Sequence, residues 1–228
     1  MLFRKLNHCL LVAATPRVGS NYLCELMAST GELGVPREYF NHVGRRKYDD
    51  PNYPSDLRGQ LRQIRTTGRT PNGIAGVKMH PFQVQEHPKD LLKAVGKLGP
   101  TMVIRLLRRD ELGRAISWVR ASQTNAHRAG DRLEAEATYS REAIEGAATW
   151  LQEQDAWWDS ILPQHGWPIV DIAYEDLADD PQSQIDRVAS EVGVRVATVR
   201  PQLVTLRVQR DDLTEVWRES FEREGGRS

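Results

Sequence analysis

Apolar residues occur along the chain in short continuous runs, which alternate with longer segments where apolar residues are spaced three or four apart. Continuous runs of about 4–8 residues are typical of strands buried on both faces of a parallel sheet, whereas the wider spacing favours amphipathic helices. The runs predict four strands, at residues 9–14, 74–79, 101–107 and 168–174. The wider periodicity predicts helices at residues 19–30, 88–97, 110–122, 141–162, 181–192 and 213–223. Strands that alternate with helices predict an α/β fold, with a mainly parallel sheet in a three-layer arrangement.

One polar segment, residues 41–73, interrupts this alternation. It is rich in Gly, Pro, Arg and Asp, and its weak periodicity predicts a loop with one short helix near residues 57–65. We predict that it forms a polar loop or lid within a single domain spanning residues 1–228, since this length suits one α/β domain.

The composition narrows the classes of function. Lys+Arg and Asp+Glu each total 31, so the formal net charge is zero. A general nucleic-acid-binding protein usually carries a basic excess, so any anion site here is predicted to be a local pocket. The two cysteines, Cys9 and Cys24, are too few for a disulfide framework or a zinc site, which indicates a reducing compartment such as the cytoplasm. The apolar run at residues 9–14 is too short for a signal peptide or a membrane span.

The loop after the first predicted strand carries the first chemical signal. Gly19 permits close backbone approach, and the N-terminal N–H groups of the following helix favour an anion. Arg17 adds a planar donor group and Ser20 adds a hydroxyl. The Gly-Lys-Ser/Thr of nucleotide kinases is absent, which argues against a Mg²⁺-nucleotide site. Taken alone, the loop also fits a plain strand-to-helix turn with a surface arginine.

A second signal lies at the end of the third predicted strand. Arg109 ends the strand, and Ser117 follows eight residues later on the next helix. This spacing predicts that the two side chains grip one phosphate from two sides.

Taken together, the two signals resemble the PAPS-dependent sulfotransferases, where PAPS is 3′-phosphoadenosine-5′-phosphosulfate. Residues 15–20 (Thr-Pro-Arg-Val-Gly-Ser) are similar to the family's 5′-phosphosulfate loop, and Arg109 with Ser117 to its 3′-phosphate pair. The Tyr-Glu-Asp-Leu stretch that begins at Tyr174 is similar to one whose tyrosine lies near the adenine.

The resemblance is closest to the bacterial trehalose sulfotransferase-like group, and it extends from residue 9 to about residue 221. That group has a Glu-Tyr-Phe segment after its loop, as at residues 38–40, and a C-terminal region similar to residues 206–217. The resemblance implies transfer of a sulfuryl group from PAPS to a hydroxyl of a carbohydrate or small molecule, without a metal, and it is compatible with a homodimer. The donor-binding residues it implies are Pro16, Arg17, Gly19, Ser20, Asn21, Tyr22, Arg109, Ser117, Tyr174 and Arg207.

The resemblance offers two candidates for the base that removes the hydroxyl proton. Glu38 matches the glutamate given that role in trehalose sulfotransferase, and we rank it narrowly first. His80 belongs to a Lys-x-His stretch that resembles the active site of cytosolic sulfotransferases, and histidine titrates near neutral pH. In the family's stretch the lysine contacts the sulfuryl group, which implies that role for Lys78, and we assign Arg17 to the leaving phosphate.

Two other classes of function stay open at this point. One is a phosphoryl-transfer enzyme related to nucleotide kinases, which share the strand–loop–helix arrangement. The other is a nucleotide-binding module without catalytic activity. The acceptor cannot be identified from the residues, since a fold does not determine a substrate.

Overall fold

A single four-stranded sheet organises the computed structural model, which describes residues 5–85, 88–126, 131–199 and 212–225. The strands are β1 (His8–Ala13), β2 (Ile74–Met79), β3 (Thr101–Leu107) and β4 (Ile169–Ala173). Their order is β2-β1-β3-β4, and every neighbouring pair is parallel. All four predicted strands are therefore confirmed, and so is the mainly parallel sheet.

The α-helices of the described ranges are α1 (Ser20–Thr30), α2 (His42–Tyr48), α3 (Leu57–Thr66), α4 (Pro81–Val84), α5 (Pro88–Gly96), α6 (Glu111–Thr124), α7 (Arg141–Ile161), α8 (Tyr174–Asp179), α9 (Pro181–Glu191) and α10 (Asp212–Gly225). All seven predicted helices are present, with boundaries within a few residues, and three further helices (α2, α4 and α8) were not predicted. None of the described helices is both long and apolar enough to cross a membrane.

The core lies on both faces of the sheet, because successive side chains of a strand point to opposite faces. Leu10 and Val12 of β1 pack on one face, in a cluster with residues of α1 and α9. Cys9 and Leu11 pack on the other, in a cluster with Trp158 of α7. The two clusters confirm the predicted three-layer arrangement. Both cysteines are buried free thiols, and burial raises the pKa of each to about 12.

The polar segment at residues 41–73 holds two helices, although the sequence pattern predicted only one. None of the residues of α2 is buried, so its sequence has no apolar stripe that could indicate a helix. The segment is nevertheless attached to the core, since Tyr53 is 1% exposed and its hydroxyl donates to the carbonyl of Tyr39 (2.9 Å).

Candidate active site

The carboxyl ends of β1, β2 and β3 meet at one edge of the sheet, where ligands usually bind in open parallel sheets. The residues that follow these strands supply most of the predicted site. Ala14 to Gly19 follow β1, His80 follows β2, and Arg108 to Asp110 follow β3.

The loop between β1 and α1 has the backbone form of an anion cradle. Arg17 and Gly19 both adopt the left-handed conformation, with φ of 64° and 82°. Helix α1 begins at the next residue, Ser20, which is buried. N–H groups that converge in such a turn, at the positive end of a helix dipole, bind anions. The N–H group of Gly19 has no hydrogen-bond partner within the described part of the chain.

Gly19 is required for two reasons, which a matched pair of variants can separate. Its positive φ disfavours any side chain, and an added Cβ would overlap the ring of Tyr174. Gly31 also has a positive φ but no heavy atom within 4 Å of an added Cβ. Gly31→Ala is expected to cost about 1–2 kcal/mol of unfolding free energy. Gly19→Ala is expected to cost about 2–5 kcal/mol because of the added overlap. Equal losses in urea unfolding would show that the contact with Tyr174 is unimportant.

A cleft of about 280 Å³ opens beside this loop and collects most of the predicted residues. Among its lining residues are Pro16, Arg17, Ser20, Asn21, Glu38, Lys78 and His80, all of which the sequence pointed to. It is also lined by Asn41, Gly44, Tyr48, Phe82 and Trp118, which the sequence analysis missed. Two of them could have been suspected because they lie close in the sequence to predicted site residues: Trp118 follows Ser117, and Phe82 lies two residues after His80.

Glu38 is the polar centre of the cleft. Lys78 Nζ lies 2.7 Å from its Oε1, while Asn41 Nδ2 and Gln83 Nε2 donate to its Oε2 at 2.8 and 2.7 Å. Burial alone would raise the pKa of this carboxyl, but the Lys78 ammonium and the His80 imidazole together hold the pKa well below its usual range. Lys78 also donates to Oδ1 of Asn21 in α1, and thus connects the loop region to Glu38.

His80 is held in one orientation by the backbone. Its Nδ1 lies 3.0 Å from the carbonyl oxygen of Ala14, which also accepts from Trp158 Nε1 at 3.2 Å. Since a carbonyl oxygen only accepts, Nδ1 must carry the hydrogen. The other ring nitrogen, Nε2, lies 3.6 Å from Glu38 Oε1. The ring also stacks on Phe82, with centroids 5.4 Å apart.

A second cavity, of about 320 Å³, lies beside the first at the start of α6. Its lining residues are Arg108, Asp110, Gly113, Ser117, Thr214, Glu215 and Arg218. Arg17 Nε, from the first cleft, donates to Ser117 Oγ at 2.8 Å, so the two cavities are connected by one hydrogen bond.

The structure does not bring the Arg109 side chain to Ser117, whereas Arg108, its neighbour in the sequence, lines the same cavity as Ser117. The Arg109 side chain is 60% exposed and forms an ion pair with Asp176, whereas Arg108 shares the second cavity with Ser117. The Arg108 Nε is buried and has no hydrogen-bond partner in the described ranges. Both arginines lie after the last residue of β3, and of the two only Arg108 lines the cavity.

Aromatic and basic groups surround the junction of the two cavities. The Tyr174 ring packs against Gly19, and the Arg108 guanidinium lies 5.2 Å from its centroid. Burial, then the neighbouring cations Arg108 and Arg120, lower the pKa of Arg17, which marks the junction as strongly electropositive. Tyr22 lies in α1 near this ring. The predicted Arg207, with the rest of the motif at residues 206–211, lies outside the described residues.

Two relatives match this chain in sequence. Trehalose 2-sulfotransferase of Mycolicibacterium smegmatis is 28% identical in an alignment of 257 positions, gaps included, which covers 95% of each chain. Trehalose 2-sulfotransferase of Mycobacterium tuberculosis is 28% identical in an alignment of 206 positions, which covers 73% of this chain and 77% of the relative.

Solved structures share the fold at low sequence identity. A sulfotransferase domain from the curacin biosynthetic pathway superposes with a TM-score of 0.53 at 14% identity, over 96% of this chain and 99% of that domain. The mouse sulfotransferase SULT7A1 in complex with PAP gives 0.51 at 12% identity, over 86% of this chain and 62% of the mouse protein. These likenesses confirm the predicted sulfotransferase fold.

The comparison with family models covers almost the whole chain. The model of the Stf0 sulphotransferases matches residues 9–224, a range that includes the loop, both cavities and the polar segment. Together with the two relatives, this match confirms the predicted resemblance. The chain therefore belongs to the Stf0 sulphotransferase family.

Proposed function

We propose that this sulfotransferase takes its sulfuryl group from PAPS and transfers it to a hydroxyl of a carbohydrate. The observation that carries the proposal is the pair of neighbouring cavities joined by the hydrogen bond between Arg17 and Ser117. A donor with a phosphosulfate at one end and a separate 3′-phosphate needs two adjacent anion sites. The mouse protein that shares this fold was solved with PAP (adenosine 3′,5′-bisphosphate), the nucleotide that remains when PAPS has lost its sulfuryl group.

In the proposed complex, the phosphosulfate binds the loop and the 3′-phosphate binds the second cavity. Arg17 and the N–H groups of Gly19 and Ser20 hold the phosphosulfate, with Pro16, Asn21 and Tyr22 around it. Arg108 and Ser117 hold the 3′-phosphate, so Arg108 takes the role that the sequence predicted for Arg109. Tyr174 lies between the two sites, where the adenosine would pack. The role of Arg207 stays a prediction.

Transfer forms one S–O bond and breaks another. The acceptor oxygen attacks sulfur, the bond from sulfur to the bridging phosphate oxygen breaks, and the hydroxyl proton passes to a base. The leaving phosphate keeps the electron pair, and Arg17 with the loop N–H groups stabilises that charge. Lys78 lies between the loop and Glu38, where it can bind a sulfuryl oxygen.

Glu38 is the base that we favour. While Lys78 is bound to it, its pKa is held low and it is a poor proton acceptor. A sulfuryl oxygen offers Lys78 another partner, and loss of the Lys78 contact raises the basicity of Glu38 when the donor is bound. His80 is the second candidate, because its fixed Nδ1–H leaves Nε2 as an acceptor in the cleft.

A sugar acceptor is supported by the walls of the cleft and by the relatives. Both relatives are trehalose 2-sulfotransferases. Tyr48, Phe82 and Trp118 supply aromatic surface, and Asn41 supplies an amide, beside Glu38. Aromatic surface beside hydrogen-bonding groups suits a sugar ring, which has apolar faces and polar hydroxyls.

The test compares nucleotides first and acceptors second. Calorimetry is expected to show binding of adenosine 3′,5′-bisphosphate without Mg²⁺, and no binding of Mg²⁺-ATP. Labelled PAPS is then expected to transfer label to at least one member of a mono- and disaccharide panel. Binding of Mg²⁺-ATP alone would favour a kinase. Binding of the bisphosphate without transfer to any acceptor would favour a non-catalytic module.

A further inference from the structure

A buried network holds the loop from its outer side. Arg114 of α6 is 3% exposed. Its Nη1 donates to Asp155 Oδ2 of α7 (2.6 Å), and its Nε donates to the carbonyl oxygen of Pro16 (3.1 Å). Thr15 completes the network, since its hydroxyl accepts from Arg114 and donates to Asp155 Oδ1 (2.7 Å). Two helices are thus attached to two consecutive loop residues.

The network determines where the loop's N–H groups point. In a trans peptide the C=O of one residue and the N–H of the next point in opposite directions. The Pro16 carbonyl is bound by Arg114, and the Arg17 carbonyl accepts from Arg108 Nη1 (3.0 Å). The two peptide groups before and after Arg17 are therefore held in place, and with them the direction in which the chain reaches Gly19 and Ser20, whose N–H groups are assigned to the phosphosulfate. The left-handed φ of Arg17, which a non-glycine residue rarely adopts, is stabilised by the same two bonds.

We infer that Arg114 and Asp155 are positioning residues for sulfuryl transfer, which hold the loop in the form that binds the donor's 5′-phosphosulfate. Neither residue is among those that line the two described cavities, so they act through Thr15 and Pro16. Preorganised donors stabilise a developing charge without reorganisation at the moment of reaction. This role rests on the proposed function, because it assigns the loop to the donor.

Asp155→Asn separates positioning from simple charge attraction. The substitution removes a negative charge near the loop, so attraction alone would make an anion bind more tightly. Positioning predicts the opposite, because the amide no longer accepts from both Arg114 and Thr15. We expect affinity for adenosine 3′,5′-bisphosphate to fall by about tenfold, as measured by calorimetry. Affinity for adenosine 3′-monophosphate, which lacks the 5′ group, is expected to change less than twofold.

The same helix supplies the matched control. Asp159 lies one turn further along α7 and pairs with Arg105, without contact to the loop, so Asp159→Asn is expected to leave both affinities unchanged. Thr15→Val, which removes only the bridging hydroxyl, repeats the test if Asp155→Asn does not fold. Equal or tighter bisphosphate binding by the folded variant, or equal losses for both nucleotides, would overturn the positioning role. If the unmodified protein binds neither nucleotide, the proposed function itself fails.

Discussion

Glu38→Gln is expected to lower kcat for sulfuryl transfer by about 10³-fold, because general base catalysis contributes about 10²–10⁴-fold to such reactions. The amide cannot accept the hydroxyl proton, while the loop and the second cavity keep their donor-binding groups. The affinity for adenosine 3′,5′-bisphosphate is therefore expected to be unchanged or higher, since Lys78 no longer has a carboxylate partner. Steady-state kinetics with labelled PAPS, together with calorimetry, measure the two quantities separately.

His80→Gln is the informative comparison for this variant. If His80 is the base, its loss lowers kcat more than the loss of Glu38 does, and our ranking is wrong.

The stability of Glu38→Gln gives a second test. Because the pKa of Glu38 is lowered on folding, its stabilisation is complete above the pKa of an unfolded glutamate, about 4.3, and decreases at lower pH. The variant is expected to be about 3 kcal/mol less stable at pH 7, with a difference that shrinks as the pH falls below 4.

Arg108→Ala is expected to weaken binding of adenosine 3′,5′-bisphosphate by about 10–150-fold. That range corresponds to the loss of one charge-assisted hydrogen bond, about 1.5–3 kcal/mol. Arg109→Ala is the matched control, since it removes the same side chain from the neighbouring position. Its side chain is 60% exposed and bound to Asp176, so its removal is expected to change affinity less than twofold.

A second nucleotide locates the effect within the donor. Adenosine 5′-monophosphate lacks the 3′-phosphate, so Arg108→Ala is expected to weaken its binding less than that of the bisphosphate. A smaller loss is still expected, because Arg108 also donates to the Arg17 carbonyl. The opposite result, a large loss in Arg109→Ala and none in Arg108→Ala, would restore the assignment that the sequence predicted.

The sheet and its helices were predictable because their signals are local. Each strand is a continuous apolar run. Asp110 was recognisable as the N-cap of α6 from its residue type, and in the structure it accepts a hydrogen bond from the Gly113 N–H. α8 was missed because its short Tyr-Glu-Asp-Leu sequence directly follows β4 with no intervening breaker. α2 was missed because it buries no residue, and its sequence therefore lacks the apolar periodicity that predicts a helix.

The site was predictable as a set of residues but not in all of its contacts. The spacing of Arg109 and Ser117 indicated a phosphate site, yet which arginine reaches it depends on the side-chain direction where β3 ends. Arg114 carried no signal at all, because an arginine on a helix is usually exposed. Its burial becomes intelligible only with Asp155, which lies on another helix and 41 residues further along the chain.

The strand order also has a consequence for how the protein folds. Residue 8 pairs with residue 74, residue 9 with residue 101, and residue 103 with residue 169, so every ladder of the sheet joins distant parts of the chain. Folding rates fall as the mean sequence separation of contacts grows, because long loops must close before their contacts form. No short fragment contains both Glu38 and Ser117, and the two cavities can form only after β3 has docked beside β1. Donor binding is thus expected to appear late in refolding, with the last cooperative step rather than with the first helices.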